Sequence, residues 1–366
     1  MAGSAYGTLF RVTTWGESHG AGIGAVIDGC PAGLELCEED IQKYLDRRKP
    51  GQNRYTTKRS EDDRVEILSG VFEGRTTGTP ISLLIRNQDQ RSKDYSSLKD
   101  VYRPGHADLG YDRKYGVRDY RGGGRSSGRE TAGRVAAGAV AAKVLEQLGV
   151  TVSAYTASIG SVVCDPSAYD AEYLKDSPLS MPDAEAEQKA QAYLEECMAQ
   201  RDSAGGTVHC VVRGLPAGIG EPVFDKLDAL LGQAIFSIGA VKAVEIGDGL
   251  WAAMSTGSEN NDMYRETADG PEKISNHAGG VLGGISDGDA VLIRAAFKPT
   301  PSIAQVQSAL NRDGTVQDLE ISGRHDPVIV PRAVVVVECM TAITVLDLMM
   351  RNMSSRMDNL KKIYQQ

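Results

Sequence analysis

The sequence predicts an α+β fold in a single domain, 1–366. Two observations carry that reading: strand-like and helix-like segments follow one another in mixed order, and several strands come in hairpin-like pairs, unlike the regular alternation of a wound parallel sheet. A third is a short internal echo. Gly29-Cys-Pro-Ala-Gly33 and Gly214-Leu-Pro-Ala-Gly218 each precede a helical stretch and stand about half the chain apart; a duplicated strand–turn–helix unit and a coincidence are both open.

In order, Leu9–Thr14 reads as a strand, Trp15–Gly24 as a glycine-rich turn and Ala25–Ile27 as a second short strand. Glu38–Arg48 reads as a helix because Ile41, Tyr44 and Leu45 keep helical spacing, and Pro50-Gly51 stops it. Val65–Phe72 and Ile81–Ile85 are strands joined by the turn Gly74–Thr79. Arg86–Arg125 has little periodicity, and loops of that length are usually functional or disordered. Ser127-Gly-Arg-Glu130 matches a capping box, and Thr131–Leu148 follows as an alanine-rich helix ended by Gly149. Its small residues Ala132, Gly133, Ala136, Ala137 and Gly138 let another helix approach closely, which puts it at the centre. Asp165–Asp202, with ten acidic and three basic residues, reads as a solvated acidic surface insertion with a helix over Ala184–Arg201. Thr207–Val212 is a strand and Phe224–Ser237 a helix. Ala243–Ile246, Ala290–Phe297 and Ala333–Val337 are strands, and Thr341–Arg351 is a final helix.

With 41% hydrophobic and 24% charged residues the chain buries a sizeable core, which excludes disorder as its main state. The 40 Lys+Arg against 49 Asp+Glu give a net charge of −9, which with few aromatics speaks against nucleic acid as a partner. The 41 glycines have no collagen period. The start lacks the basic and apolar regions of a signal peptide, and the longest apolar stretch, from Ala333, is interrupted by Glu338 and Asp347. No membrane span and a cytoplasmic address are therefore expected. The six cysteines are scattered, with no C-x-x-C and no histidine at metal spacing, so reduced thiols, mostly in the core, are expected rather than disulfides or a metal site.

Two segments reverse the acidic sign. Arg47–Arg59 holds six positive charges and no acid, which suits a small polyanion better than nucleic acid; a solvated basic loop is the plain alternative. In Gly122-Gly-Gly-Arg-Ser-Ser-Gly-Arg-Glu130, consecutive glycines free backbone N–H groups to form an anion nest. The run opens into a helix N-terminus, and Arg125 and Arg129 add donors. A flexible loop with an ordinary serine cap is the alternative there. Arg129-Glu130 stands where an ATP-hydrolysing loop needs Lys-Ser or Lys-Thr, and Gly20-Ala-Gly-Ile-Gly-Ala25 lacks the helix of a dinucleotide site. His19, His106, His277 and His325 lie in polar turn contexts, which favours proton transfer near neutral pH, while His209 alternates within a strand and reads as structural. Lys298-Pro-Thr-Pro-Ser302 closes a strand with a cation, two prolines and two hydroxyls, as an anion-holding loop or a plain strand-end turn.

Taken together, Gly16-Glu-Ser-His-Gly20, Arg47-Arg-Lys-Pro-Gly51, Arg103-Pro-Gly-His-Ala-Asp108, Gly124-Arg-Ser-Ser-Gly-Arg-Glu-Thr131, His277-Ala-Gly-Gly-Val-Leu-Gly-Gly284, Lys298-Pro-Thr and Gly323-Arg-His-Asp-Pro327 resemble the chorismate synthase family, in that family's order. Gly128, where the family often has Ala, and Val328, where Cys is common, are small departures that remove no functional side chain. The resemblance implies a β-α-β sandwich with helices between antiparallel sheets, and a homotetramer. It implies conversion of 5-enolpyruvylshikimate 3-phosphate to chorismate and phosphate, a 1,4-anti elimination needing reduced FMN without net redox change. NADPH would serve only as flavin reductant, and an external flavin reductase is expected to supply the reduced flavin. By motif, His19 would donate a proton near the leaving phosphate, His106 a proton to the reduced flavin, and Asp326 would act as base, with Ser18 and Ser127 orienting the relay. Arg48, Arg54 and Arg129 would bind the substrate's anionic groups. Flavin contacts would come from Arg125, Ser126, Ser127, Gly239, Ala240, Gly283, Lys298, Pro299, Thr300, Pro301, Ser302 and Arg324. Two other classes compete: a flavin-dependent NAD(P)H oxidoreductase, which should carry a dinucleotide fingerprint, and a non-catalytic binder of RNA or phosphorylated metabolites, which leaves the polar histidines unexplained.

Overall fold

Alternation of buried and half-exposed residues along Ile81–Arg86, with Ile81, Leu83 and Ile85 turned inward, marks a strand with one face on a core. In a computed structural model, which describes residues 3–57, 61–88, 98–268, 270–321 and 326–365, it joins an antiparallel five-stranded sheet. The spatial order is Ala5–Tyr6, Arg11–Gly16, Gly22–Asp28, Ile81–Arg86, Val65–Ser69. A second antiparallel sheet has the order Val162–Val163, Thr151–Ile159, Gly206–Arg213, Val291–Phe297, Val241–Ile246. Strand Thr151–Ile159 carried no sequence expectation: Ser, Thr and Ala fill it, so its apolar alternation is faint.

Helices fill the space between the sheets, as the resemblance implied. Glu38–Arg48 and Thr131–Gln147 lie on the first sheet, and Leu227–Phe236 and Val330–Asn352 on the second. The two long helices pack on each other at close range. A Cβ at Gly138 would stand 2.2 Å from the Cys339 Cβ, and one at Gly133 would stand 2.8 Å from the Gly24 carbonyl oxygen on the first sheet. Small residues along Thr131–Gln147 thus let it sit between a sheet and a helix, buried on nearly every side.

Val330–Asn352 corrects one expectation. Ala333–Val337 is helix rather than strand, continuous with Thr341–Arg351: a short valine run buried all round has no periodicity to separate the two states, and Pro331 in the first turn favours the helix. By length and a mean hydropathy of 2.0 the helix could cross a membrane, despite Glu338 and Asp347, but 89% of that apolar window is buried inside the protein. Both acids are answered internally. Glu338 takes two hydrogen bonds from Arg47, and Asp347 Oδ1 accepts the backbone N–H groups of Thr8, Leu9 and Phe10.

The internal echo is a structural repeat. In the first half, Gly33 N–H donates to the Thr76 carbonyl oxygen, Leu34 N–H to Thr76 Oγ1, and Thr76 Oγ1 to the Pro31 carbonyl oxygen. In the second half Gly218, Ile219, Ser286 and Pro216 make the same three bonds. The hairpins Val71–Thr76 and Val281–Ser286, the following helices and the sheet orders correspond as well. One buried hydrophobic cluster runs from Phe10 to Leu348 across both halves.

The acidic segment 165–202 is more than a solvated insertion. In its helix Ala184–Ala199, residues Ala186, Ala190, Leu194 and Cys197 share a buried face, while most of its acids point outward. Fully buried Glu187 is satisfied by the Tyr173 hydroxyl, Ser177 Oγ and Leu179 N–H. Charge counting finds the outer face; only the i, i+4 spacing shows the inner one.

Candidate active site

Loops at the strand and helix ends bring most of the singled-out residues together. Ser18 and His19 lie in the turn between strands Arg11–Gly16 and Gly22–Asp28, and both are buried. Ser18 Oγ points at the Gly122 carbonyl oxygen, 3.4 Å away. Gly122 has φ 70°, and a Cβ there would stand 2.6 Å from His19 Nε2, so the glycine run and the histidine turn touch. Gly122, Gly123 and Gly124 all have left-handed φ values. The capping box does not form as expected: Ser127 Oγ accepts from Arg129 N–H, and Glu130 instead pairs with Arg134 at 2.8 Å, because a 3-10 turn precedes the helix.

His106 and the Lys298–Ser302 loop meet directly. Ser302 Oγ is 3.0 Å from His106 Nε2, and Lys298 Nζ donates to the Gly105 carbonyl oxygen at 2.7 Å. His106 Nδ1 faces the Pro104 carbonyl oxygen at 2.9 Å, so Nδ1 carries the proton and Nε2 of the neutral ring accepts from Ser302. Burial, then the neighbouring Arg103 guanidinium, hold the His106 pKa below its ordinary value. Beside it Asp108 is locked by Arg103 and Arg118; burial alone would raise its pKa, and the guanidiniums overcome that and hold it at about 2. Pro301 packs against Gly105, and Pro299 against Gly205. Ala240, at φ 71°, accepts from Lys298 N–H through its carbonyl, which places the Gly239–Ala240 turn alongside.

The three arginines have different settings. Arg48 is fully buried: its Nε and Nη2 reach Asp63 Oδ2 at 3.2 and 2.5 Å, and Nη1 reaches Thr131 Oγ1. Arg129 Nη1 takes the other Asp63 oxygen at 2.5 Å. Burial would raise the Asp63 pKa, but the two guanidiniums hold it below the usual carboxylate range. Arg54 is exposed and pairs with Glu195 of the acidic segment and the Tyr55 hydroxyl. Asp326 Oδ1 accepts Thr57 N–H at 2.8 Å and Oδ2 accepts Arg332 Nη1 at 2.7 Å; Arg332 Nε also holds the Arg48 carbonyl.

Some expected residues stand elsewhere. The Arg125 side chain turns onto strand Arg11–Gly16, donating to Thr14 and Gly16, so only its backbone faces the nest. Gly283 lies near the start of helix Leu227–Phe236, where Leu227 N–H bonds the Gly284 carbonyl, whereas Gly239 follows its end, roughly 15 Å away by helix length. His277 pairs with Asp248 at 2.7 Å. His209 sits between Tyr155 and Arg294 on the second sheet, where burial and Arg294 push its pKa down to about 4. Arg324 and His325 lie outside the described residues, as do Lys58 and Arg59 of the basic segment. Sequence reasoning missed Asp63, Asn87 and Arg332. The acidic run Glu61-Asp-Asp63 directly after six cations was the signal that could have found the first.

The site fits an anionic cofactor. Consecutive left-handed glycines can form an anion nest, Lys298 adds a cation beside Gly105, and Thr300 Oγ1 is buried without a hydrogen-bond partner inside the expected flavin loop.

A family profile described as chorismate synthase matches residues 10–350. A chorismate synthase of Lachnoclostridium phytofermentans is 61% identical over 366 residues, covering 100% of both chains. One of Agathobacter rectalis is 58% identical over 364 residues, covering 100% of this chain and 99% of its own, and one of Methanocella arvoryzae is 54% identical over 95% of each. A solved structure titled as a crystal structure of chorismate synthase superposes with a TM-score of 0.76 at 33% identity, covering 98% of this chain and 97% of that one. With matching motifs, fold and full-length similarity, the chain belongs to the chorismate synthase family.

Proposed function

We infer that the protein is a lyase that converts 5-enolpyruvylshikimate 3-phosphate to chorismate and phosphate, the last shared step toward the aromatic amino acids. The observation that carries this is the joining of the motif loops at one end of the sandwich: the His19 turn on Gly122, His106 on Ser302, and Asp326 beside the Arg48 cluster. In the reaction the carbon–oxygen bond to phosphate breaks, a ring proton leaves across the 1,4 system, and a second ring double bond forms with no net oxidation. Reduced FMN, when bound, supplies electron density transiently to the substrate.

The chain's own groups would do the rest. His19, buried beside the glycine run, would donate a proton to the departing phosphate, with Ser18 orienting it. Arg48, Arg54 and Arg129 would meet the substrate's phosphate and carboxylates; Arg54, the most exposed, would exchange Glu195 for substrate. His106, neutral in the free protein with its proton on Nδ1, would take up a second proton at Nε2 as the anionic flavin binds, and Asp326, ion-paired with Arg332, would take the ring proton. Ser126, Ser127, the backbone of Arg125, Gly239, Ala240 and Lys298 to Ser302 would hold the flavin; Arg324 and Gly283 complete the proposed set.

The protein would act as one domain and as a homotetramer, supported by the shared core and by the exposed Leu250, Trp251, Met254 and Tyr264. Buried apolar helices and free thiols support a cytoplasmic setting, and the lack of a dinucleotide motif supports external flavin reduction rather than use of NADPH by this chain. The test is turnover of His106→Ala and Asp326→Asn with reduced FMN. Both should bind flavin and substrate yet lose roughly 100-fold or more in kcat, as removal of a general acid or base does; wild-type rates would remove either residue from its role.

A further inference from the structure

One side chain stands between the arginine cluster and the histidine turn, and neither motif nor family pattern assigns it. Asn87 directly follows strand Ile81–Arg86. Its Oδ1 accepts from Arg129 Nε at 2.6 Å, and its Nδ2 donates to the carbonyl oxygens of Glu17 and Gly20, both at 2.9 Å. Its backbone N–H donates to the Ala21 carbonyl at 3.2 Å. The guanidinium needs an acceptor and the two carbonyls need donors, a combination that a short primary amide satisfies and a carboxylate, hydroxyl or ammonium does not.

Both ends of this bridge carry chemistry. The turn from Glu17 to Gly20 closes with one backbone bond, Gly20 N–H to the Glu17 carbonyl at 3.1 Å, and its two middle residues are Ser18 and His19. Arg129 is fixed on its other side by Asp63, which also holds Arg48. The chain Arg48, Asp63, Arg129, Asn87 and the His19 turn is therefore continuous, with Asn87 joining Arg129 to the turn.

We propose that Asn87 is a positioning residue for the reaction: it sets the His19 turn at a fixed place relative to Arg129, so that proton donor and anion-binding arginine meet the same phosphate. The inference rests on the reading of His19 and Arg129 as site residues. The Asn87 amide is spent on Arg129 and the turn, so it acts through them.

The test is a double-mutant cycle, with kcat and KM measured anaerobically with reduced FMN for the wild type, Asn87→Asp, His19→Ala and the double variant. Asn87→Asp keeps the shape and the acceptor toward Arg129 but loses both donors to the turn. Its kcat should fall about 10–100-fold, the scale of a misplaced catalytic group, with flavin binding and thermal melting close to wild type. In the His19→Ala background the same change should cost less than about twofold, because the two act as a unit. An unchanged kcat, or an equal fall in both backgrounds, overturns the inference and leaves the site reading standing. Wild-type turnover of His19→Ala alone overturns the site reading and the inference with it. Asn87→Ala, which also removes the contact with Arg129, should add a severalfold rise in KM; a wild-type KM there overturns the link to Arg129.

Discussion

His106 has one nitrogen committed to a backbone carbonyl and the other to a serine hydroxyl, in a pocket that already holds Arg103 and Lys298. Burial and those cations favour the neutral ring, so the protonated form that a proton donor needs is stabilised only when negative charge arrives. The sign follows: an anionic flavin raises the His106 pKa, so binding takes up a proton and affinity weakens as pH rises through the pKa of the complex. Calorimetry in buffers of different ionisation enthalpy should show this uptake in the wild type and its loss in His106→Ala; equal uptake in both would assign the proton to another group. Residues at this scale were legible where a motif named them. Ser18 and His19 lie against Gly122, and His106 meets Ser302. Asn87 was not legible, because its importance lies in the arginine and carbonyls it faces far along the chain, and Asp63 and Arg332 show theirs only in the partners they hold.

Helix Thr131–Gln147 shows what the element scale adds. Its run of alanine and glycine was readable as a helix that lets a neighbour approach, and the structure finds that neighbour at Cys339. The neighbour itself was misread in part as a strand, because a valine-rich helix buried on all sides has no polar face to set a period. The contact makes a prediction. Gly138→Ala places a methyl against Cys339 backbone and side chain, so the two long helices must separate; the expected cost is about 1–3 kcal/mol, as for overpacked cores, read as a lower midpoint in thermal or denaturant melts. A wild-type midpoint would mean that the helices pack less tightly than described. The same reasoning covers the acidic segment, whose helix keeps alanine and leucine inward at Ala186, Ala190 and Leu194 while Glu185, Glu195 and Glu196 point outward.

At the scale of the molecule, a repeated unit closes two sheets around shared helices, and the repeat was visible in sequence only at its tightest turn, where Pro-Ala-Gly is required by the same three hydrogen bonds in each half. The halves are alike in frame and different in loops, and the loops make the site. Charge follows the same division: the overall −9 is carried outside, with ten acids in 165–202, while arginines gather inside around Asp63. Such an interior suits a substrate with a phosphate and two carboxylates, in an elimination that spends no reductant. The most direct test of that claim is the stoichiometry of an anaerobic reaction with dithionite-reduced FMN and 5-enolpyruvylshikimate 3-phosphate. Many equivalents of chorismate and phosphate per flavin, with the flavin still reduced at the end, are predicted; one product per flavin oxidised, or no chorismate at all, would contradict the account.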